Sequence, residues 1–163
     1  MTKQYALGAF FGTERDELVS QIPHAARLGM QVVEAGPGLA ILKLPYRDEL
    51  IGDPVRGVVF GGAITTLLDQ ALGLAVSCSL EDLRPIATLD LRIDYLRPAQ
   101  PHLDLIGKAE CYKVTRNVAF ARAVAYERDI ADPFATSLAT FMLSSTSESA
   151  FAKALDDYVG KTK

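Results

Sequence analysis

The sequence predicts an α+β domain in which a curved, mainly antiparallel sheet wraps one long central helix. Three observations carry this. Residues 57–76 form a long run, apolar on nearly every face, that contains Gly61-Gly62 and a single carboxylate, Asp69. A helix without a polar face needs cover on most of its sides. Two strand patterns precede this run and about four follow it as a meander. The 163 residues are 49% hydrophobic and 23% charged, a balance suited to one globular domain able to bury a core.

Taken in order, Thr13-Glu14-Arg15-Asp16 reads as a helix start, with Thr13 as N-cap and acids in the first turn. Leu18, Val19 and Ile22 give that helix an apolar stripe, and Pro23 is expected to close it. Residues 1–27 thus form an N-terminal helical extension of a single domain spanning residues 1–163. Residues 28–35 read as a strand and residues 39–45 as its hairpin partner around the turn signal Gly36-Pro37-Gly38. Residues 46–56 are polar and are expected to be a loop leading into the glycine pair. After the central helix and a polar connector at residues 79–84, strands are expected over 85–96, 103–114, 118–128 and 134–144. In the first of these, Asp90, Arg92 and Asp94 recur with period two, as if one face met water. Residues 147–163 are expected to form a short amphipathic helix and a disordered tail.

Several function classes fit poorly. Net charge is −3, which disfavours nucleic acid and anionic membrane surfaces as partners. No uninterrupted apolar run approaches a membrane span, and the mildly apolar first twelve residues make a poor signal peptide. A cytoplasmic location is therefore expected. Cys78 and Cys111 form no CxxC and read as small core residues in a reducing compartment. No Gly-x-Ser-x-Gly, phosphate loop or metal-ligating cluster is present, so no metal or cofactor is expected.

The candidate chemistry gathers around the central helix. A buried carboxylate is costly unless it is bonded, paired or near water. Asp69 is therefore either a satisfied structural group or a catalytic carboxylate at the edge of an apolar cleft. The first N–H groups of a helix lack internal partners, and Gly61 and Gly62 let a ligand approach that backbone closely. Such N–H groups suit an oxyanion; the alternative is a plain loop-to-helix turn. Thr66 and Gln70 lie one turn apart and either line the same cleft or cap a contact between helices. Asp53 belongs to the preceding loop. Arg47, Arg56 and Arg116 are each either a phosphate contact or a solvated loop cation. His24 and His102 fall in a connector and before a strand, positions that favour no Asp–His pair.

The pattern Gly57-x-x-Phe60-Gly61-Gly62-x-x-x-x-Leu67-x-Asp69 resembles the helix-start motif of hotdog-fold acyl-CoA thioesterases of the phenylacetate-pathway (PaaI-like) type. The resemblance extends to residues 88–98, a strand ending in Tyr95-x-x-Pro98, and covers roughly residues 28–145. It implies hydrolysis of a medium-chain or aromatic acyl-CoA, with coenzyme A present only as part of the substrate. Gly61 and Gly62 would hold the thioester oxygen, and Asp69 would act as base or nucleophile. Thr88 would position water, and Phe60, Gln70, Thr66, Asp53 and Arg116 would lie toward the substrate. The resemblance also implies a site built between two subunits, in a homodimer or a dimer of dimers. The family usually has His where this chain has Phe60 and often a polar loop side chain where it has Gly52-Asp53-Pro54, which points to reduced or altered activity. The alternatives are a non-catalytic hotdog protein that binds acyl-CoA or aromatic ligands and, ranked lower, a hotdog hydratase or dehydratase.

Overall fold

A computed structural model of the chain describes Tyr5, Leu7 and residues 17–82 and 84–144. The expected Thr13 cap, C-terminal helix and tail lie outside those residues. Two short helices come first among them, α1 (Glu17–Ser20) and α2 (Pro23–Arg27). Pro23 does not close the first helix; it opens the second. A proline is tolerated at the first helical position because that N–H has no intrahelical partner in any case. His24 is therefore helical, and the next strand starts later than its apolar pattern suggests. Gly29, at φ +71°, and Met30 still belong to the turn, and β1 spans Gln31–Gly36.

Among the described residues, eight strands follow the order of the chain. β1 pairs with β2 (Leu39–Leu44). A short 3₁₀ turn (Asp48–Leu50) leads to β3 (Ile51–Asp53), which pairs with β4 (Val58–Val59). The segment expected to be a plain loop is thus partly a small hairpin. Its turn ends at Gly57, whose φ of +69° favours glycine. The Gly57 carbonyl accepts the Tyr46 hydroxyl at 2.9 Å. Then come α3 (Gly61–Cys78) and the meander β5 (Ile86–Tyr95), β6 (Leu105–Val114), β7 (Val118–Tyr126) and β8 (Ala135–Leu143). The large sheet runs β1-β2-β6-β7-β8-β5, and every neighbouring pair in it is antiparallel.

The size of the facing side chains sets how α3 sits. Leu67, Leu68 and Leu72 on the helix are fully buried. They meet a sheet face of small residues, including Ala109 on β6 and Ala119, Ala121 and Ala125 on β7, all likewise buried. Burying each leucine stabilises by about 1.5–3 kcal/mol. The larger residues of β7, Phe120, Arg122 and Tyr126, alternate onto the opposite face. Gly107 sits directly under the helix, where a Cβ would stand 3.2 Å from Leu67 Cγ. Gly107→Ala is therefore expected to overpack the contact and cost about 1–3 kcal/mol, read as a lower denaturant midpoint at unchanged slope.

The cover over α3 is one-sided. Gly62 is exposed and Thr65, Thr66, Asp69, Gln70, Gly73, Leu74 and Ser77 are half-buried, forming a stripe along the helix face away from the alanines. The apolar run reads as apolar all round because glycine, threonine and Leu74, which packs against the core, dilute the polar face. Among the described residues that stripe is only partly covered. At the sheet's end, β5 has no strand neighbour on its outer edge among the described residues. Leu89, Tyr95 and Leu96, in and just after β5, are each more than half exposed.

Candidate active site between helix α3 and strand β5

The start of α3 determines what the site can donate. Phe60 occupies the N-cap in an extended conformation and supplies no side-chain cap. Its carbonyl accepts the N–H groups of Ala63 at 3.0 Å and Ile64 at 3.4 Å. Among the described residues the N–H groups of Gly61 and Gly62 are taken up by no hydrogen bond, and Gly62 is exposed. These are the orphan donors at the positive end of a helix dipole.

Phe60 itself is 62% exposed, yet its ring is closely seated. A Cβ on Gly52 would fall 2.8 Å from the Phe60 Cα, and one on Gly62 would fall 2.5 Å from ring carbon Cε1. Both glycines are bare because the aromatic residue fills the space a side chain would need. The ring therefore forms an apolar wall beside the unpaired N–H groups, fixed by β3 on one side and the helix on the other.

Asp69 lies on that stripe, half-buried. Thr88, on the helix-facing side of β5, donates its hydroxyl to Asp69 Oδ1 at 2.9 Å. The second carboxylate oxygen is left for another partner. The bridge brings together two residues that the sequence separates by the whole connector. Near the N-terminus of α3 a second bridge joins the same two elements, from the Tyr95 hydroxyl to the Gly61 carbonyl at 3.2 Å. Strand and helix therefore run antiparallel, joined by one hydrogen bond near each end of the strand. Tyr95 was legible only as part of a motif; its role as a bridge needed the fold.

The other candidates are placed differently. Gln70 follows Asp69 on the stripe, and the Thr66 hydroxyl is turned back onto the Gly62 carbonyl at 2.9 Å. Asp53 is occupied by its own turn: Oδ1 accepts the N–H groups of Val55 and Arg56 at 3.0 and 3.1 Å. Arg116 lies in the β6–β7 turn, two strands away from β5 in the sheet. Arg47 donates to the Arg27 carbonyl at 3.1 Å, and Arg56 pairs with Asp53 at 3.8 Å. His102 packs tilted against Tyr46, with ring centroids 5.1 Å apart.

Thiol chemistry is disfavoured. Cys78 is fully buried, and burial pushes its thiol up to about 12. Burial also raises Cys111, against the pull of hydrogen bonds with Ser79 and Lys113. No group of three or more potential metal ligands converges among the described residues, and none of their helices is long and apolar enough to cross a membrane. A concavity of about 470 Å³ lies on the sheet's other face, lined by Asp94, Lys108, Glu110, Arg122, Ile130 and Leu138 among others. It is separated by the sheet from the Asp69–Thr88 bridge.

Residues 56–133 match the family model described as Thioesterase superfamily. A Halobacterium salinarum protein provisionally named an esterase is 39% identical over 118 residues, 69% of this chain and 76% of that protein. The medium/long-chain acyl-CoA thioesterase YigI of Salmonella typhimurium is 26% identical, over 68% of this chain and 79% of its own. A single-substitution mutant of the phenylacetic acid degradation protein PaaI from Thermus thermophilus superposes with a TM-score of 0.65 at 25% identity. That match covers 74% of this chain and 97% of PaaI.

Proposed function

The chain belongs to the thioesterase superfamily, and from that premise we propose that it hydrolyses the thioester of a medium-chain or aromatic acyl-CoA. The observation that carries the reading is the Asp69–Thr88 bridge on the partly covered face of α3, a helix that starts with two unpaired N–H groups. Asp69 acts as the base that deprotonates attacking water or as the nucleophile that forms a mixed anhydride. The Gly61 and Gly62 N–H groups receive the oxygen as charge develops on it, and coenzyme A leaves as its thiolate, which takes up the proton released by the attacking water; on the nucleophile route that water hydrolyses the anhydride and regenerates Asp69. Phe60 supplies an apolar surface for the acyl group.

One chain does not suffice for this chemistry. Gly62 and Asp69 are separated by seven helical steps, a rise of roughly 10 Å at 1.5 Å per residue. Reacting atoms must approach to roughly 3–3.5 Å, so one thioester carbonyl cannot use both the helix start and the mid-helix Asp69 of the same chain. The unpaired β5 edge resolves this. Tyr95 lies at Gly61 and Thr88 at Asp69. An antiparallel two-fold pairing of β5 centred near Leu91 and Arg92 sets the partner's Thr88 opposite Tyr95. The partner's Asp69 then faces the Gly61-Gly62 donors of the first chain. We therefore read the working unit as a homodimer with two composite sites, with further pairing of dimers as an option the outer sheet face leaves open.

The test is free-thiol release from short, medium and aromatic acyl-CoAs. Turnover of medium or aromatic esters is the expected result. Thermal stabilisation by an ester without turnover would instead favour a binding protein, a reading supported by the exposed Phe60 ring. Thr88→Val, which keeps the shape and removes the hydroxyl, is expected to lower kcat about 10-fold. That is the low end for a hydrogen bond to a charged group, since the bridge is open to solvent. Thr88→Ser should retain most of the rate.

A further inference from the structure

The Gly61 carbonyl accepts two hydroxyls, Thr65 Oγ1 at 3.0 Å and Tyr95 at 3.2 Å. That carbonyl and the Gly62 N–H belong to one peptide unit. Electron density drawn toward a hydrogen-bonded carbonyl oxygen comes from the same amide nitrogen, so the N–H becomes a stronger donor. The N–H in question is one of the two left without a partner at the helix start. The Tyr95 hydroxyl also lies 3.4 Å from where a Gly61 Cβ would be. That is an ordinary contact distance, so the Tyr95 hydroxyl sits directly against this stretch of backbone.

We propose that Tyr95, assisted by Thr65, is a positioning residue that orients and polarises the Gly61–Gly62 peptide as an oxyanion donor. The inference rests on the thioesterase reading and deepens it. Tyr95 touches neither the acyl group nor the reacting atoms; it acts through the peptide. Its hydroxyl reaches the helix from β5, so the edge strand aligns the donor as well as offering a pairing surface. The assignment also gives the tyrosine of the Tyr95-x-x-Pro98 segment a task separate from strand formation.

The magnitude can be bounded. An oxyanion donor is worth about 10²–10³-fold in rate, and a hydrogen bond to its own peptide strengthens it by about 10–30%. Losing the Tyr95 hydroxyl should therefore cost about 2- to 8-fold.

The experiment compares the wild type with Tyr95→Phe, Thr65→Val and Thr65→Ser as full-length chains. Tyr95→Phe and Thr65→Val should lower kcat by that factor with KM for the same acyl-CoA unchanged, the signature of an interaction made in the transition state. Thr65→Ser, which keeps the donor, should restore the rate. The Gly62 amide resonance in ligand-free protein should shift in Tyr95→Phe and Thr65→Val but hold in Thr65→Ser. An active wild type whose Tyr95→Phe variant keeps full kcat and an unmoved Gly62 resonance overturns this role and leaves the thioesterase reading standing. A rise in KM at constant kcat also overturns it. A wild type silent on every ester overturns the parent reading and this role with it. If Tyr95→Phe proves unstable, Thr65→Val reads the same carbonyl from within the helix.

Discussion

Asp69→Asn lowers kcat for acyl-CoA hydrolysis by about 10²–10⁴-fold, the range supplied by a positioned general base. Asparagine keeps the size and shape of the side chain, and its amide oxygen still accepts the Thr88 hydroxyl now seen at 2.9 Å. The substitution therefore removes the charge and basicity and little else. Asp69 sits on the half-buried stripe of α3 and not among the fully buried leucines, so the fold should tolerate the change. Free-thiol release and thermal unfolding measured on the same samples separate the two effects. Lost turnover at an unchanged Tm assigns the carboxylate to chemistry. Full turnover would remove Asp69 from the mechanism, and a collapsed Tm would make it a structural group. Mixing Asp69→Asn with a partner chain impaired at the Gly61-Gly62 donors also probes the composite arrangement. Heterodimers carry one intact site, so activity should return on mixing.

Arg97→Ala destabilises the fold by about 3 kcal/mol. Arg97 follows β5 and donates to Glu127 at 2.8 and 3.0 Å, to the Asp132 carbonyl at 2.8 Å and to its carboxylate at 3.3 Å. The Glu127 side chain is 2% exposed and also accepts the Gln100 N–H at 2.7 Å. Removing one partner of a buried pair costs about 3–5 kcal/mol because the other charge is stranded. The low end applies because the Arg97 side chain is 26% exposed. Burial alone would push the Glu127 carboxyl up. The hydrogen bond from Arg97, then that from Gln100, pull it below its ordinary value of 4.5. A depressed carboxylate stabilises above its unfolded value and loses that contribution as pH falls through the folded one. The gap in unfolding free energy between wild type and Arg97→Ala should therefore be widest near neutrality and shrink as pH falls below the ordinary value of 4.5. A gap that stays constant with pH would mean that Arg97 acts through packing and not through Glu127. The latch matters beyond stability: it fixes the turn after β5, just beyond Tyr95.

Much of the architecture was legible because it is written in local patterns. Strand-like runs between turn signals placed β1, β2 and the four strands of the meander, with period-two alternation visible in residues 85–96 and 118–128, and the long apolar run placed α3. The misreadings came where one signal has two meanings. Pro23 can end a helix or begin one, and only the hydrogen bonds of residues 23–28 decide. Residues 46–56 looked like loop because a three-residue strand is too short to show a period. Asp53 looked available as a charged loop residue, yet its carboxylate closes its own turn.

The sequence by itself determined the fold class, the glycine pair ahead of a long helix and the single acid within it, because spacing along a helix or strand dictates which side chains share a face; the family came from the resemblance of that glycine-pair motif. Only the tertiary structure decided that the helix keeps one face only partly covered, that Thr88 and not some other hydroxyl reaches Asp69, and that Tyr95 grips the peptide of the unpaired donors. Those pairings join residues 19 and 34 positions apart. Their meeting depends on β5 lying antiparallel to α3 at the sheet edge, a relation that no local spacing encodes.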